Sequence, residues 1–540
     1  MFSTKYDEET KVWRGHDEVP MYNPKVSLAQ VLLTTMKNMG QKVAQISDDN
    51  GVELTFEEIR LKTIRGAQNL QNLGYEPKQV FSLMAKNSHH VAPIVFASIS
   101  IGCSVNTLDP TFGKIELIHM LNTTKPCLVF CDDDNYDLVS ECLTELKNDA
   151  KVFTFGNDTK DGAESVDSLF SETNIEDDFI PVRVDGETEA ATIICSSGTT
   201  GLSKGVCQSH AALLDSINMF GLSNISDIML CFSSLYWLSG LMVLLKGTIC
   251  GATRIITTEP YSPELQLRLM EKYKVTYAMN APHHLTLMMK NEQFTNTDLS
   301  TLKYQFVGGS KCPLHVKTEM NSYLPNGKVY SGYGMSEVSG VISCDFPGSI
   351  EKDCVGKLSN GYEVKIIDDQ GEKCEPNVDG EICLKTNYKF LGYYANDKAT
   401  EELFDDDGYM MTGDIGHFDD DGDLFIVDRK KDLLKFCNMQ ISPSQVESYI
   451  IESPEIKSVC VIGIPDDENG DLPAAVVVRA DGSDVSGEDI YNMVAEHFSD
   501  HFKLRGGVYF VDSLPTTPSG KVLRRKVKES TIELYNIHKE

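Results

Sequence analysis

The chain has 540 residues, 49 basic and 80 acidic side chains and a formal net charge of −31. Its length exceeds what one hydrophobic core serves and predicts about three or four structural units, while the acidic balance excludes nucleic-acid phosphate and anionic membrane surfaces, which select basic faces. Its 15 cysteines are scattered without a CxxC, and segment 1–9 has no apolar signal core, so unpaired thiols in a reducing compartment are expected.

Apolar spacing at Leu28, Val31, Leu32 and Met36, and again at Ile59, Leu61, Ile64, Ala67 and Leu70, predicts two helices. Between them the runs 44–47 and 52–55 flank Asp49-Asn50-Gly51 and predict a hairpin. A strand at 80–84, a helix at 91–101 and a strand at 127–131 begin an alternation that predicts a largely parallel, helix-covered sheet. The apolar run 191–195 then stops at Ser196, Ser197, Gly198, Thr199, Thr200 and Gly201; Lys204 follows, and a strand-to-helix passage is predicted over 206–214. Glycines let backbone N–H groups approach phosphate, hydroxyls donate to its oxygens and the lysine adds charge. The order is not the Walker pattern, because Ser203 precedes Lys204 and Gly205 follows it. On composition alone the tract also reads as a flexible polar loop.

The apolar run 235–245 ends at Lys246, short of the roughly twenty residues a bilayer span needs, so no integral membrane segment is expected. A second alternating block follows, with strands at 252–257, 275–279 and 304–307 and a helix at 264–272. Gly308-Gly309-Ser310 leaves one strand, and Gly332-Tyr333-Gly334-Met335-Ser336-Glu337 follows a strand at 329–330. The second motif reads equally as a turn or as a nucleotide site, in which Tyr333 faces adenine, Ser336 donates to phosphate and Glu337 gives oxygen to Mg²⁺.

From 361 the texture changes to short antiparallel strands at 363–367, 380–384, 409–412 and 424–427. The acidic clusters 405–407 and 419–421 fail the calcium-loop template, since His417 stands where a ligand belongs and no glutamate closes the loop; solvated turns are expected. Asp414 and Arg429 suit ribose hydroxyls as acceptor and donor, although each alone is a common turn or surface ion pair. The run 428–432 interrupts the strand pattern and predicts a hinge. Beyond it, helices at 444–451 and 486–498 and strands at 459–462 and 474–478 predict a compact α+β unit, with His497 and His501 at a solvated helix end. Thr517-Pro518-Ser519-Gly520-Lys521 presents a lysine from a tight loop, or is a basic turn ahead of Arg524, Arg525 and Lys526.

In this order and spacing the motifs resemble those of the AMP-forming adenylating enzymes: acyl-CoA synthetases, 4-coumarate-CoA ligases, peptide-synthetase adenylation domains and beetle luciferases. The pattern is most similar to insect luciferase-like acyl-CoA synthetases. The resemblance covers almost the whole chain. It implies an α/β fold, with a large N-terminal body over 1–428, made of two α/β subdomains and a β subdomain, and a small mobile α+β C-terminal domain over 429–540. It further implies ATP, Mg²⁺ and CoA as cofactors and a small-molecule carboxylic acid, of medium or long chain or aryl-alkyl type, as substrate. By resemblance Lys521 is the lysine of adenylation, Lys435 lies on the thioester-forming face, and Lys204 with the 196–201 loop grips pyrophosphate. Gly308, Gly309, Ser310, Gly332, Tyr333, Gly334 and Ser336 surround adenine and phosphate, Asp414 and Arg429 hold ribose, and Glu337 is the metal ligand. Tyr236, Trp237, Gly240 and Gly340 are the expected acyl-pocket residues.

Several positions depart from the family pattern. Ser203 stands for the usual proline, Ser336 for threonine and Asn438 for glycine. Tyr236-Trp237 replaces the paired histidines of beetle luciferases, and Gly340 occupies their serine position. Acid–CoA ligation is therefore expected ahead of a luciferin-type monooxygenase or an inactive adenylate-binding protein. A cytoplasmic location is expected because no peroxisomal tripeptide closes the chain, although the resemblance also allows the peroxisome.

Overall fold

The computed structural model describes residues 2–17, 20–156, 163–196, 203–218, 223–437, 439–466, 468–516 and 522–539. Among them, four sheets organise a mixed α/β fold with a large N-terminal body and a C-terminal domain. The first sheet has seven strands, ordered Lys204–Ser209, Ala190–Ser196, Ser104–Leu108, Val80–Met84, Leu128–Cys131, Lys151–Thr154 and Glu164–Ser165. All its pairings are parallel except that between the first two strands. Val80–Met84 is buried at every residue, as a strand covered on both faces must be. Helix Val91–Ser100 packs on this sheet, and helix Phe56–Asn72, which begins in a capping box between Thr55 and Glu58, packs on that helix.

The second sheet has nine strands, and its parallel centre is Lys328–Met335, Tyr304–Gly308, Tyr277–Asn280, Ile228–Cys231, Thr253–Ile256 and Val43–Ser47. The hairpin expected from 44–47 and 52–55 is present, Val43–Ser47 pairing antiparallel with Glu53–Thr55, and its first strand also pairs in parallel with Thr253–Ile256, which brings the hairpin into this second block. The glycine-rich motif is more than a turn, because its strand continues to Met335 and only then gives way to a 3₁₀ turn at Ser336–Val338.

The antiparallel β unit acquires an N-terminal contribution invisible to local patterning. Lys5–Asp7 pairs with Val12–Arg14, which pairs with Glu363–Ile367. Trp13 explains the docking, since its ring lies 4.3 Å from Tyr6 and 4.6 Å from Phe418. The sheet continues through Gly380–Lys385 and Met410–Phe418 to Leu424–Arg429, so the 428–432 run begins inside a strand rather than interrupting one. Nor are all the 419–423 carboxylates merely solvated: Lys352 Nζ lies 2.8 Å from Asp419, 2.8 Å from Asp421 and 2.6 Å from buried Asp423. Lys352, with Lys357 Nζ 3.1 Å from Asp423 Oδ1, thus offsets part of the cluster's charge.

The fourth sheet, with strands Met439–Ile441, Leu434–Phe436, Gly470–Arg479, Ile456–Asp466 and Gly507–Phe510, has a hydrophobic core drawn wholly from residues 434–527. Asp428 joins it to the body: Ser442 Oγ and Ser444 N both donate to its Oδ2, at 2.9 and 3.0 Å, at the start of helix Pro443–Ile450. His497 stacks on Tyr449 at 3.8 Å.

A buried histidine closes another junction. Helix Leu28–Met39 starts in a capping box formed by Ser27 and Gln30, which leaves the first helical N–H unpaired. His210, the first residue of helix His210–Asn218 and 2% exposed, accepts that N–H from Leu28 on Nδ1 at 3.1 Å. Burial pushes its imidazole down to about 4, so the ring is neutral. All 15 cysteines are free thiols. Among the described residues no helix is long and apolar enough to cross a membrane.

Candidate active site

Carboxyl ends of parallel strands are where open α/β sheets place ligands, because the following loops diverge there and expose backbone N–H groups. In the second sheet Gly308 and Gly332 are register partners at such an end. Gly309 has φ +88°, a conformation that favours glycine, and opens Gly309-Ser310 to solvent. In the first sheet Ser196 and Lys204 are register partners across the mouth of the hydroxyl-rich loop. Ser197, Gly198, Thr199, Thr200 and Gly201 lie outside the described residues. His119 holds the exit of that loop: its Nε2 donates to Ser203 O at 2.8 Å, since a carbonyl can only accept.

Tyr333, Asp414 and Arg429, far apart in sequence, converge. Tyr333 Oη donates to Asp414 Oδ2 at 2.6 Å, and Arg429 Nε meets Asp414 Oδ1 at 3.3 Å from the facing strand. Burial and the neighbouring Asp414 carboxylate raise the Tyr333 phenol well above its ordinary value, so it remains a donor. Gly334 is required sterically: a Cβ there would lie 2.3 Å from Gly340 O. Gly340, register partner of Met335, is thus part of the wall behind the motif. Ser336 is anchored through its backbone, its carbonyl accepting from Gln208 Nε2 at 3.1 Å.

A second convergence includes a residue that sequence reasoning missed. Lys204 Nζ lies 4.6 Å from the centre of the Tyr393 ring, and Tyr393 Oη donates to Glu337 Oε1 at 2.8 Å. Glu337 is half-buried and, among the described residues, pairs with no cation, so its charge is available to a metal. A carboxylate in that setting fits a hard, oxygen-seeking ion such as Mg²⁺.

The remaining expected residues are dispersed. Tyr236 is buried among Cys195, Leu117 and Met120, with Phe112 edge-on at 5.4 Å and half-buried Trp237 edge-on at 4.9 Å. Gly240 packs on backbone, where a Cβ would lie 2.2 Å from Ser234 O. Lys435 is exposed on Leu434–Phe436. Lys521 and Asn438 lie outside the described residues; Thr516 and Val522 form an antiparallel bridge.

Residues 33–394 match the family model described as AMP-binding enzyme, and residues 445–521 match the AMP-binding enzyme C-terminal domain. The chain belongs to the AMP-binding enzyme family. This AMP-binding enzyme is 31% identical over 491 residues to 4-coumarate-CoA ligase 1 of Narcissus pseudonarcissus, with 88% of each chain covered. It is 29% identical over 496 residues to luciferin 4-monooxygenase of Photinus pyralis, covering 89% of this chain and 90% of that one. Among solved structures, an anthranilate CoA ligase in complex with anthranoyl-AMP superposes with a TM-score of 0.87 at 20% identity, covering 95% of this chain and 99% of the other, a likeness of fold. A luciferase-like enzyme from the nonluminescent mealworm Zophobas morio gives a TM-score of 0.72 at 29% identity over 77% of this chain and 98% of that one. In this AMP-binding enzyme the first match contains Lys204, Glu337 and Tyr393 and the second ends on Lys521, while Asp414, Arg429 and Lys435 lie between the two.

Proposed function

We propose that the chain is an ATP-dependent acid–CoA ligase. The observation that carries this reading is the assembly, from residues far apart in sequence, of an Asp414–Arg429–Tyr333 group suited to a nucleoside and a Lys204–Tyr393–Glu337 group suited to a triphosphate. In the first half-reaction a carboxylate oxygen attacks the α-phosphorus of ATP, the bond to the β-phosphate oxygen breaks, and acyl-AMP and pyrophosphate form. In the second, the CoA sulfur attacks the acyl carbon and AMP leaves with the bonding electrons.

Asp414 and Arg429 orient ribose, and the Tyr333 ring with Gly308, Gly309 and Ser310 receives adenine. Because the Tyr333 hydroxyl is committed to Asp414, the residue offers its face rather than its oxygen. Lys204, Ser336 and the 196–201 loop hold the leaving phosphates; Glu337 would hold Mg²⁺, whose charge would offset that of the phosphates. Lys521 meets the reacting carboxylate and α-phosphate. Lys435 serves the thioester step after the unit over 429–540 turns on the body over 1–428, a division supported by the separate core of residues 434–527. The acyl group lies toward Trp237, with Tyr236 behind it. Since an apolar wall contributes roughly 0.8 kcal/mol per buried CH₂, a medium- to long-chain or aryl-alkyl acid is the expected substrate.

A panel of acetate, straight-chain acids to C16 and aryl-alkyl acids, assayed for pyrophosphate release with and without CoA, tests the reading. Release that rises with apolar length, and thioester when CoA is present, is expected. Nucleotide binding without pyrophosphate from any acid would instead mark an inactive adenylate-binding protein.

A further inference from the structure

Tyr393 enters the site by backbone pairing with the phosphate-loop strand itself. Cys207 N donates to Gly392 O at 3.1 Å, Tyr394 N donates to Gly205 O at 2.7 Å, and Val206 and Tyr393 form an antiparallel bridge. Segment 392–394 thus extends the edge of the strand that begins at Lys204. Thr400 fixes its position by accepting Tyr393 N on Oγ1 at 2.9 Å, and Phe390 packs edge-on at 5.4 Å. The phenol is buried, and its hydroxyl is committed as a donor to the Glu337 carboxylate.

The ring stands between two opposite charges and satisfies each differently. Its electron-rich face meets the Lys204 ammonium, and its hydroxyl, in the ring plane, meets the Glu337 carboxylate. Among the described residues Lys204 and Glu337 form no ion pair with each other. Direct pairing would neutralise both and withdraw them from phosphate and metal alike, whereas a neutral aromatic spacer steadies both at full charge.

We propose that Tyr393 is the positioning residue of the triphosphate site, a spacer that orients the Glu337 carboxylate for a divalent cation and keeps Lys204 from collapsing onto it. This rests on the triphosphate site assigned within the acid–CoA ligase reading above. Partners of this kind behind a metal ligand typically change metal affinity by about 10–100-fold when removed.

The test uses the full chain and Mn²⁺, counted by electron paramagnetic resonance in the presence of a non-hydrolysable ATP analogue. Tyr393→Phe keeps the ring and removes the hydroxyl. It should weaken Mn²⁺ about tenfold while leaving metal-free nucleotide affinity and the melting temperature near the parent's. Tyr393→Leu removes the face as well and should also weaken nucleotide binding. On a Glu337→Gln background the Phe substitution should weaken Mn²⁺ no further, whereas a residue that merely packs the site would weaken it again. Parent-like Mn²⁺ affinity in Tyr393→Phe, or equal losses on both backgrounds, overturns the proposal. A parent that binds Mn²⁺ with the analogue but releases no pyrophosphate from any acid refutes the ligase reading and leaves the spacer standing; a parent that binds neither removes both.

Discussion

Acid should loosen the body through His210. The imidazole is 2% exposed, accepts Leu28 N on Nδ1 and has its proton affinity lowered by burial to about 4, against 6.5 for a free side chain. The neutral form is thus the folded form, and the unfolded chain binds the extra proton between these values. The contribution is complete above pH 6.5 and is lost as pH falls toward 4. At pH 5 protonation favours the unfolded chain about thirtyfold, or about 2 kcal/mol, a substantial share of the roughly 5–15 kcal/mol typical of a domain. His210→Asn places an amide oxygen near the position of Nδ1 and does not titrate. Urea denaturation of parent and variant at pH 7.5 and pH 5.0 should show the parent losing about 2 kcal/mol more than the variant over that interval. Equal losses in the two proteins would refute the argument, because the remaining titrating groups are shared.

Two further outcomes concern function. Lys521→Ala should abolish acyl-AMP formation yet leave supplied acyl-AMP able to react with CoA, and Lys435→Ala should do the reverse; matched loss of both half-reactions in each variant would contradict separate roles for the two lysines. Gly334→Ala places a methyl 2.3 Å from Gly340 O and 3.1 Å from Gly340 C. Backbone must move to admit it, so a stability loss of about 1–3 kcal/mol is expected together with a diminished thermal shift on adding ATP; an unchanged thermal shift would show that the motif does not contact nucleotide.

Local periodicity made the helices legible, because the Leu28 to Met36 and Ile59 to Leu70 stripes reflect burial of one face of each helix against neighbouring elements. Order and spacing made the motif chain legible. Pairing over long separations was not, since nothing near Val12–Arg14 states that its partner is Glu363–Ile367, or near Val43–Ser47 that its partner is Thr253–Ile256. The strand through Gly332 to Met335 was hidden because two glycines in four residues locally favour a turn, whereas pairing with Gly340–Cys344 leaves no room for a Cβ at Gly334. Tyr393 carried no signal. Within Phe390 to Tyr394 it is one aromatic among three, and only the fold sets its hydroxyl against Glu337.

The distribution of thiols provides an experimental handle. Cys437 is exposed, two residues from Lys435, while the other fourteen cysteines are buried or half-buried. A maleimide fluorophore added briefly to the unmodified protein should therefore label chiefly this position. Its quenching and its rate of attachment would then serve as a clock for the 434–437 surface, recording from one turnover to the next when that surface faces solvent and when it is covered.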